Sequence, residues 1–285
     1  MPKPIDIPVI GIGPGSQPEE GEALAYLEMP KGMFRHEVVS LPEKDELADL
    51  PQLRELLERL YTAIAGYRAG DPAIPLELEG LEPRMVEFVN QILGEGEVSV
   101  SVEAPGLHVQ AQESVLTGLW RVRRLDERRR PVREWLEVAD IPAAVRDASF
   151  SGDKTVDTGL EAIPEGVHNA PALLVEIADK IREWRPGMEP HVINLSLLPL
   201  TAQDLVFLGE RLGVGPTTIL SRGYGNCRIG ATAKDNLWWI KYYNSQDALI
   251  LNTIEVVDVP AVAMAAPEDI EDSTERLKEI LEQYR

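Results

Sequence analysis

Hydrophobic positions recur along this chain with two spacings, in an order that predicts alternating helices and strands. Between residues 53 and 67 apolar side chains lie three or four positions apart, which predicts a helix with one buried face. Apolar residues then alternate from 74 to 78, as in a strand buried on one side. A second helix is predicted over Pro83 to Leu93, because proline suits a first helical turn and Gly94 can end it.

The same order of predicted elements occurs twice along the chain. After the second helix, alternating apolar residues predict four strands near 98–102, 107–110, 116–125 and 132–138. Next come a helix over 171–184, a strand over 192–197, and a helix over 202–212 with Thr201 as N-cap. Three apolar runs between Thr217 and Pro260 predict further strands, with a hairpin turn at 244–247. An acidic helix over 267–284 ends the chain, with apolar positions Ile270, Leu277, Ile280 and Leu281.

The recurrence extends to individual residues and predicts an internal duplication. A shift of 119 aligns Phe88 with Phe207, Gly94 with Gly213, Gly106 with Gly225 and Trp120 with Trp239. A shift of 118 aligns Glu137 with Glu255 and Asp140 with Asp258. The change of shift is attributed to one residue fewer in the second copy's turn at 244–247.

The predicted fold class is therefore α+β, built from two pseudo-symmetric duplicated α/β units with antiparallel hairpins. The predicted boundaries are an extended N-terminal arm (1–50), unit one (51–146), a linker (147–167), unit two (168–264) and a C-terminal helix (265–285).

Composition narrows the classes of function. With 28 basic and 48 acidic residues the net charge is −20, which opposes nucleic acid and anionic membranes and favours a basic partner. No apolar run reaches the roughly 18 residues of a membrane span, and no signal peptide is recognised, so no membrane insertion is expected. A single cysteine excludes an intramolecular disulfide and fits a cytoplasmic location.

Catalytic and cofactor motifs are weak. The glycine-rich segment 11–16 has neither dinucleotide-binding nor phosphate-loop spacing, and an extended arm explains it better. The four histidines are scattered and there is no second cysteine, so no metal site and no cofactor are expected. Cys227 has no histidine placed by the sequence to act as its base, so no catalytic residue is assigned.

Seven arginines lie between Arg121 and Arg133. One interpretation is a solvated hairpin paired with the protein's own acids; the other is a docking surface for an acidic partner or a second subunit, as in a homodimer.

A cluster able to bind a partner occurs only in the second copy. Its candidate residues are Arg222, Tyr224, Asn226, Cys227, Arg228, Asn244, Asp247 and Asn252. The first copy lacks the loop cluster, which fits either a retained site or drift of an exposed loop. Asn244 and Asp247 are also good turn residues, whereas Asn252 lies in an apolar strand and needs a partner if buried.

Two blocks carry a resemblance: SRGYGNCR at 221–228 and YYNSQDALILNT at 242–253. Together with GPGSQP near the N-terminus and the run from Pro164 to Pro171, they resemble hydrogenase expression/formation proteins of the HupH/HyaF type. The resemblance implies an accessory protein for maturation of membrane-bound uptake [NiFe] hydrogenases. It implies as partners the iron–sulfur small-subunit precursor, with its twin-arginine leader, and other maturation proteins.

The function expected from these observations is a non-enzymatic assembly factor that binds the small-subunit precursor. The alternative is an enzyme or redox helper that uses Cys227 on the hydrogenase subunit. An exposed thiol with a pKa below about 7 would favour the alternative.

Overall fold

A computed structural model describes residues 50–161, 163–222 and 226–283 of the chain. The predicted N-terminal arm lies outside these residues, except for Leu50. Within the described ranges the helices are α1 (Pro51–Gly66), α2 (Pro83–Leu93), α3 (Ala143–Ala148), α4 (Ala170–Glu183), α5 (Ala202–Leu212) and α6 (Pro267–Gln283).

Ten antiparallel strands form one continuous sheet. They are β1 (Ile74–Glu77), β2 (Val98–Ala104), β3 (Leu107–Glu113), β4 (Leu119–Leu125), β5 (Pro131–Val138), β6 (His191–Asn194), β7 (Thr217–Ser221), β8 (Asn226–Ala231), β9 (Leu237–Tyr243) and β10 (Leu249–Val256). Their order across the sheet is β1-β5-β4-β3-β2-β7-β8-β9-β10-β6. This mixture of helices and antiparallel strands is the predicted α+β class.

The two halves of the described chain have the same order of elements. The first half runs from α1 to β5 and the second from α4 to β10, leaving aside one short 3-10 turn after β6. They meet where β2 pairs with β7, with Val100 opposite Ile219. The backbone N–H of Arg222 donates to Glu97 O, and that of Glu103 donates to Pro216 O. These two bonds are equivalent, so the junction of the halves looks the same from either side.

Equivalent turns close each half. Gly96 N–H donates to Glu113 O in the first half, and Gly215 N–H donates to Ala231 O in the second. A Cβ on Gly96 would lie 2.2 Å from Ser114 O, and one on Gly215 would lie 2.3 Å from Thr232 O. Since real Cβ atoms do not come that close, both sites require glycine.

The hydrogen bonds correct the predicted alignment in one place. Trp120 lies opposite Glu137, and it is Trp238, not Trp239, that lies opposite Glu255. The missing residue therefore belongs to the β7–β8 connection rather than to the turn at 244–247. In the corrected alignment Cys227 is equivalent to Val109 and Arg228 to Gln110; equivalent is used below in this geometric sense.

In each half, the segment that follows the last strand packs against the other half. After β5, Ser149 Oγ lies 2.8 Å from Thr217 Oγ1, and Asp153 O accepts the N–H of Asp235.

After β10, the N–H of Ala265 donates to Asp140 O, and helix α6 packs on α1. The predicted apolar face of α6 is confirmed: three of its residues are buried and Ile280 is partly buried. The halves are thus linked by the sheet and by both of these segments.

Three boundaries differ from the sequence predictions. The strand predicted over 192–197 ends at Asn194, and a 3-10 turn follows because the Asn194 side chain accepts the N–H of Ser196. The short helix α3 was not predicted; it covers the last residues assigned to unit one and the first two of the expected loop. Strand β4 begins at Leu119, because residues 114–118 form a turn. The capping box at Thr201 is present as predicted for an N-cap.

Candidate functional site

Three of the candidate residues, Asn226, Asn244 and Asp247, lie together at one end of β8, β9 and β10. The Asn226 side chain donates to Asp247 Oδ1 at 3.1 Å, which joins the start of β8 to the β9–β10 turn. Asn244 stabilises that turn, since its Oδ1 accepts the N–H groups of Gln246 and Ala248. These contacts bring Asn226, Asn244 and Asp247 together. Tyr224 lies outside the described residues.

Two cations lie side by side next to this turn. Arg228 on β8 is directly opposite Lys241 on β9, and side chains directly opposite on paired strands share a face of the sheet. The Arg228 guanidinium lies 4.7 Å from the ring centroid of Tyr243, and the Lys241 ammonium 5.3 Å from that of Trp239. Burial, and secondarily the charge of Arg228, lower the pKa of Lys241.

Asn252 holds the indole ring of Trp239, over which the Lys241 ammonium lies. Its residue is 5% exposed, and its Oδ1 accepts the indole N–H of Trp239 at 2.6 Å. Its own backbone N–H donates to Ser196 Oγ at 2.9 Å. The partner that a buried amide needs is thus supplied by the protein itself, and we assign Asn252 to holding Trp239 under Lys241 rather than to contact with a partner protein.

Cys227 is also internal. The residue is 5% exposed and belongs to the main hydrophobic core. Burial raises the pKa of its thiol to about 12, although a hydrogen bond with Tyr242 acts in the opposite direction. A thiolate nucleophile requires the reverse, an exposed thiol with a lowered pKa. Cys227 therefore occupies a core position, as its equivalent Val109 does.

Arg222 follows β7 and is exposed, with its backbone N–H on Glu97 O. We call Arg222, Arg228 and Lys241 the basic strip. Arg228 was a sequence candidate but Lys241, Trp239 and Tyr243 were not. Their alternate spacing in the run WWIKYY places them on one face, which was the available signal.

The arginine-rich hairpin of the first half pairs largely with the protein's own acids, as one of the two interpretations predicted. Ion pairs join Arg121 and Arg123 to Glu134, Arg129 to Glu103, Arg130 to Asp126, and Arg133 to Glu77. Burial alone would raise the pKa of Glu134, but hydrogen bonds from its two arginines hold it below its ordinary value.

Two buried carboxylates organise the backbone and were not singled out from the sequence. Asp204, at the start of α5, accepts the N–H groups of His168, Asn169 and Ala170 on Oδ1. Asp140 accepts from Tyr67 and Arg146, and Arg146 also binds Asp258 at 2.8 Å. The contacts given for these two carboxylates do not involve the basic strip. Each carboxylate instead links segments of the chain by hydrogen bonds.

The described part of the chain holds no group of three His, Cys, Asp or Glu side chains placed to bind a metal ion. None of the helices in the same residues is both long enough and apolar enough to span a membrane.

Comparison with known proteins identifies the family. The model of the HupH hydrogenase expression protein, C-terminal conserved region, matches residues 50–152 and 167–284. The chain belongs to this HupH family. Its two matched segments contain, respectively, the first half and the second half with α6.

Relatives of the HupH family align along nearly the whole chain. The hydrogenase expression/formation protein HoxQ of Cupriavidus necator is 43% identical over 275 residues, 96% of either chain. HupQ of Azotobacter chroococcum is 46% identical over 276 residues, 95% of either chain. The hydrogenase-1 operon protein HyaF of Escherichia coli is 30% identical over 271 residues, 94% of either chain. The resemblance inferred from the two sequence blocks is confirmed.

Proposed function

We propose that this chain is a non-enzymatic assembly factor that binds the iron–sulfur small-subunit precursor of an uptake [NiFe] hydrogenase. The observation that carries the proposal is the alignment with hydrogenase expression/formation proteins over at least 95% of both chains. Names of that kind describe accessory proteins, and a relative aligned from end to end is expected to share the whole arrangement of surfaces.

The binding surface in this proposal is the end of the sheet formed by β8, β9 and the β9–β10 turn. It contains Asn226, Arg228, Asn244 and Asp247, with Arg222 after β7. Tyr224, two positions before Asn226 in the chain, is included as a candidate from the sequence alone. Arginine and tyrosine are enriched among the residues that dominate protein interfaces. Here Arg228 is exposed and stacked on Tyr243, so less of its side-chain freedom is lost on binding.

A Cys227-dependent enzyme is the weaker alternative. The criterion set from the sequence was an exposed thiol with a low pKa, whereas Cys227 is buried and burial raises its pKa to about 12. The burial supports a binding role for the protein rather than chemistry at this sulfur.

The proposal is tested by measuring binding of the purified small-subunit precursor, with and without its leader, to the full-length protein. Arg228→Ala and Tyr224→Ala should each speed dissociation and leave association nearly unchanged, because close contacts determine how long a complex lasts. Raising the salt concentration should slow association, because the net charge of −20 acts at long range.

Arg124→Ala is the matched control, since Arg124 is also exposed but lies in the first half. If the precursor does not bind the wild-type protein, the proposed function is wrong. If it binds and dissociates from both site variants as slowly as from the control, the surface is wrong.

We further propose that the halves arose by duplication, with units at 51–146 and 168–264. The matching order of elements and the equivalent bonds at the β2–β7 junction support this. An experimental structure in which the two units have different strand connections would contradict it.

A further inference from the structure

The two outer edges of the sheet occupy equivalent positions in the two halves. β1 and β6 are the outer strands of the ten that the described residues form. Each of them pairs with the last strand of its own half. Leu76 lies opposite Leu136 in the first half, and Ile193 lies opposite Ile254 in the second.

The turns that follow these outer strands match as well, so the edges can be compared residue by residue. The N–H of Leu81 donates to Leu78 O after β1, and the N–H of Leu198 donates to Leu195 O after β6. The strand pairing and these turns together make three pairs of edge residues equivalent: Pro75 and Val192, Glu77 and Asn194, and Gly80 and Leu197.

The first edge is protected against pairing with another chain. Pro75 is exposed and has no N–H to donate, and proline in a sheet is found on edge strands with its nitrogen toward solvent. Glu77 forms an ion pair with Arg133 of β5. Proline and charged side chains are the usual means by which proteins keep an edge strand from pairing with a further strand.

The second edge lacks both of these protections and carries apolar side chains instead. Val192 replaces the proline and is 51% exposed. Asn194 replaces the charged glutamate with a neutral amide. Leu197, which replaces a glycine, is 81% exposed. We call Val192, Asn194 and Leu197 the docking edge.

The backbone of β6 offers hydrogen bonds to the outside of this edge. The N–H of Asn252 points from β10 toward the β6 side, where a serine hydroxyl accepts it. Backbone groups alternate in direction along a strand, so Ile254 also faces β6 and bonds with Ile193 opposite it. Val192 and Asn194, on either side of Ile193, therefore direct their N–H and C=O groups away from the sheet. Among the described residues, no backbone bond outside the strands uses these groups.

From this contrast between the edges we propose that an extended segment of a partner polypeptide adds to the docking edge as a further strand. The backbone groups of Val192 and Asn194 pair with the main chain of the segment, and apolar side chains of the segment lie beside Val192 and Leu197. Strand addition of this kind is a general mode of peptide recognition, in which main-chain bonds give affinity and alternate side chains give specificity.

Acidic residues around the docking edge indicate the charge of the segment. Glu255 lies directly opposite Val192 on the neighbouring strand, and Glu189 is exposed just before β6. With the net charge of −20, these acids favour a segment that carries lysine or arginine among its apolar residues. The same net charge opposes a second copy of this chain, and an edge strand of four residues would bury little area between two copies.

The inference goes beyond the proposed function. The docking edge is separate from the surface at β8, β9 and the β9–β10 turn, and the segment need not come from the precursor.

The test uses the full-length protein and a fluorescein-labelled eight-residue peptide in which valine alternates with lysine, measured by fluorescence anisotropy. In one control peptide glutamate replaces lysine. In a second, two adjacent central residues are N-methylated, which removes one donor from each edge of the peptide and keeps its side chains. The valine–lysine peptide should bind at least tenfold more tightly than either control.

Two variants locate the peptide. Val192→Pro copies the first edge and removes a donor that faces outward, so it breaks no bond within the sheet; it should weaken binding at least tenfold. Leu197→Ser should weaken binding at least threefold. Val132→Ser is the matched control, because Val132 is 60% exposed but lies in the first half, and binding should stay within twofold of the wild type.

Amide hydrogen exchange of the wild type gives a readout that needs no variant. Saturating peptide should slow exchange of the N–H groups of Val192 and Asn194 at least tenfold and leave that of Glu77, at the first edge, unchanged. Thermal unfolding checks that each variant is folded; if Val192→Pro is not, the exchange measurement decides.

The inference is overturned if the valine–lysine peptide does not bind, if either control peptide binds as tightly, or if bound peptide leaves exchange at Val192 and Asn194 unchanged. Analytical ultracentrifugation tests the other occupant. A wild-type dimer that Val192→Pro abolishes would show that the docking edge binds a second copy of this chain, and the proposed partner segment would be wrong.

Discussion

The first and second halves of this protein share several equivalent backbone hydrogen bonds but differ in the polar side chains on one face of the sheet. Ser114 and Thr232 occupy equivalent turns, and each hydroxyl accepts a backbone N–H two residues later along its turn. The side chains on one face of the sheet differ between the halves. In the first half they form ion pairs, and in the second half they include the basic strip. Features that the fold needs are thus present twice, while the candidate binding surface occurs once.

The halves also differ in where their helices are anchored. Helix α6 follows the second half in sequence but packs on α1 of the first half. A Cβ added to Gly118, in the first half's turn, would lie 2.9 Å from Ile270 of α6. The first half therefore depends on a helix that the chain supplies last, and this dependence gives the largest predicted effect.

Removing the core side chain of α6 should destabilise the first half more than the second. Leu277 is fully buried, so Leu277→Ala is expected to cost roughly 2–5 kcal/mol of unfolding free energy, and truncation before Pro267 should cost more. Denaturant unfolding measures the cost, and amide hydrogen exchange shows where protection is lost. Lys278→Ala, on the exposed side of the same helix, is the control.

Loss of protection in α4 rather than α1 would contradict this assignment of α6 to the first half.

Asp204 gives the next largest contrast, because its equivalent in the first half is the buried Met85. Burial alone would raise the pKa of Asp204, but backbone N–H groups lower it to about 2. Asp204→Asn turns an NH₂ group toward N–H donors, and it should lower the unfolding free energy by roughly 2–4 kcal/mol at pH 7. Met85→Leu should cost less than about 1.5 kcal/mol.

The pH dependence of Asp204 follows from the lowered pKa. Its stabilisation is complete above the unfolded pKa of about 3.9 and is lost as the pH falls from there toward 2. The difference in unfolding free energy between the wild type and Asp204→Asn, measured with urea, should become smaller as the pH falls through that interval. A gap that stays constant down to pH 2.5 would show that ionisation of Asp204 does not contribute.

Local signals in the sequence were enough for most helices and turns. Thr201 predicted the start of α5, and Gly94 has φ of +56° at the end of α2, a conformation that favours glycine. Strand lengths depend on partners distant in sequence and were predicted less well. The strand at β6 was extended too far because its last residues instead form a turn held to β10 by Ser196 and Asn252.

The alignment of the halves was wrong in one place, and the position of Lys241 beside Arg228 was not foreseen, for a related reason. Two adjacent tryptophans, Trp238 and Trp239, gave equally good matches to Trp120, and only cross-strand pairing distinguishes them. Pairing also brings Lys241 beside Arg228, which are 13 positions apart in the chain. Candidate residues within one loop could be found from the sequence, whereas a cluster spread over three strands required the register.

Glu113 provides a contrast of intermediate size. It is 6% exposed, near Glu97 and Asp269, and its equivalent in the second half is Ala231. Burial raises its pKa to about 7, partly offset by the N–H of Gly118. A raised pKa means that stability is lost as the pH rises from about 4.5 to 7 and then stays level.

Glu113→Gln should therefore match the wild type near pH 4.5 and exceed its unfolding free energy by roughly 1–3 kcal/mol at pH 8. Urea unfolding at the two pH values measures this. Glu97→Gln should shift the same transition to lower pH, because a neighbouring negative charge is removed. Equal effects of Glu113→Gln at both pH values would mean that the carboxyl does not titrate in the folded protein.

The smallest effect is expected where the halves agree most closely, at Cys227 and Val109. Both are buried on the same side of the sheet, so Cys227→Val should change the unfolding free energy by less than about 1 kcal/mol. Val109→Cys is the reciprocal control and should be similarly mild. In the folded wild type the thiol should resist iodoacetamide at pH 8 and react after unfolding in urea, because only the thiolate is nucleophilic and burial disfavours it.

Precursor binding should be unchanged in Cys227→Val. If this variant folds and binds the precursor but fails to support hydrogenase maturation in cells, the sulfur has a chemical role that its equivalence to Val109 does not explain, and the Cys227-dependent alternative would regain support.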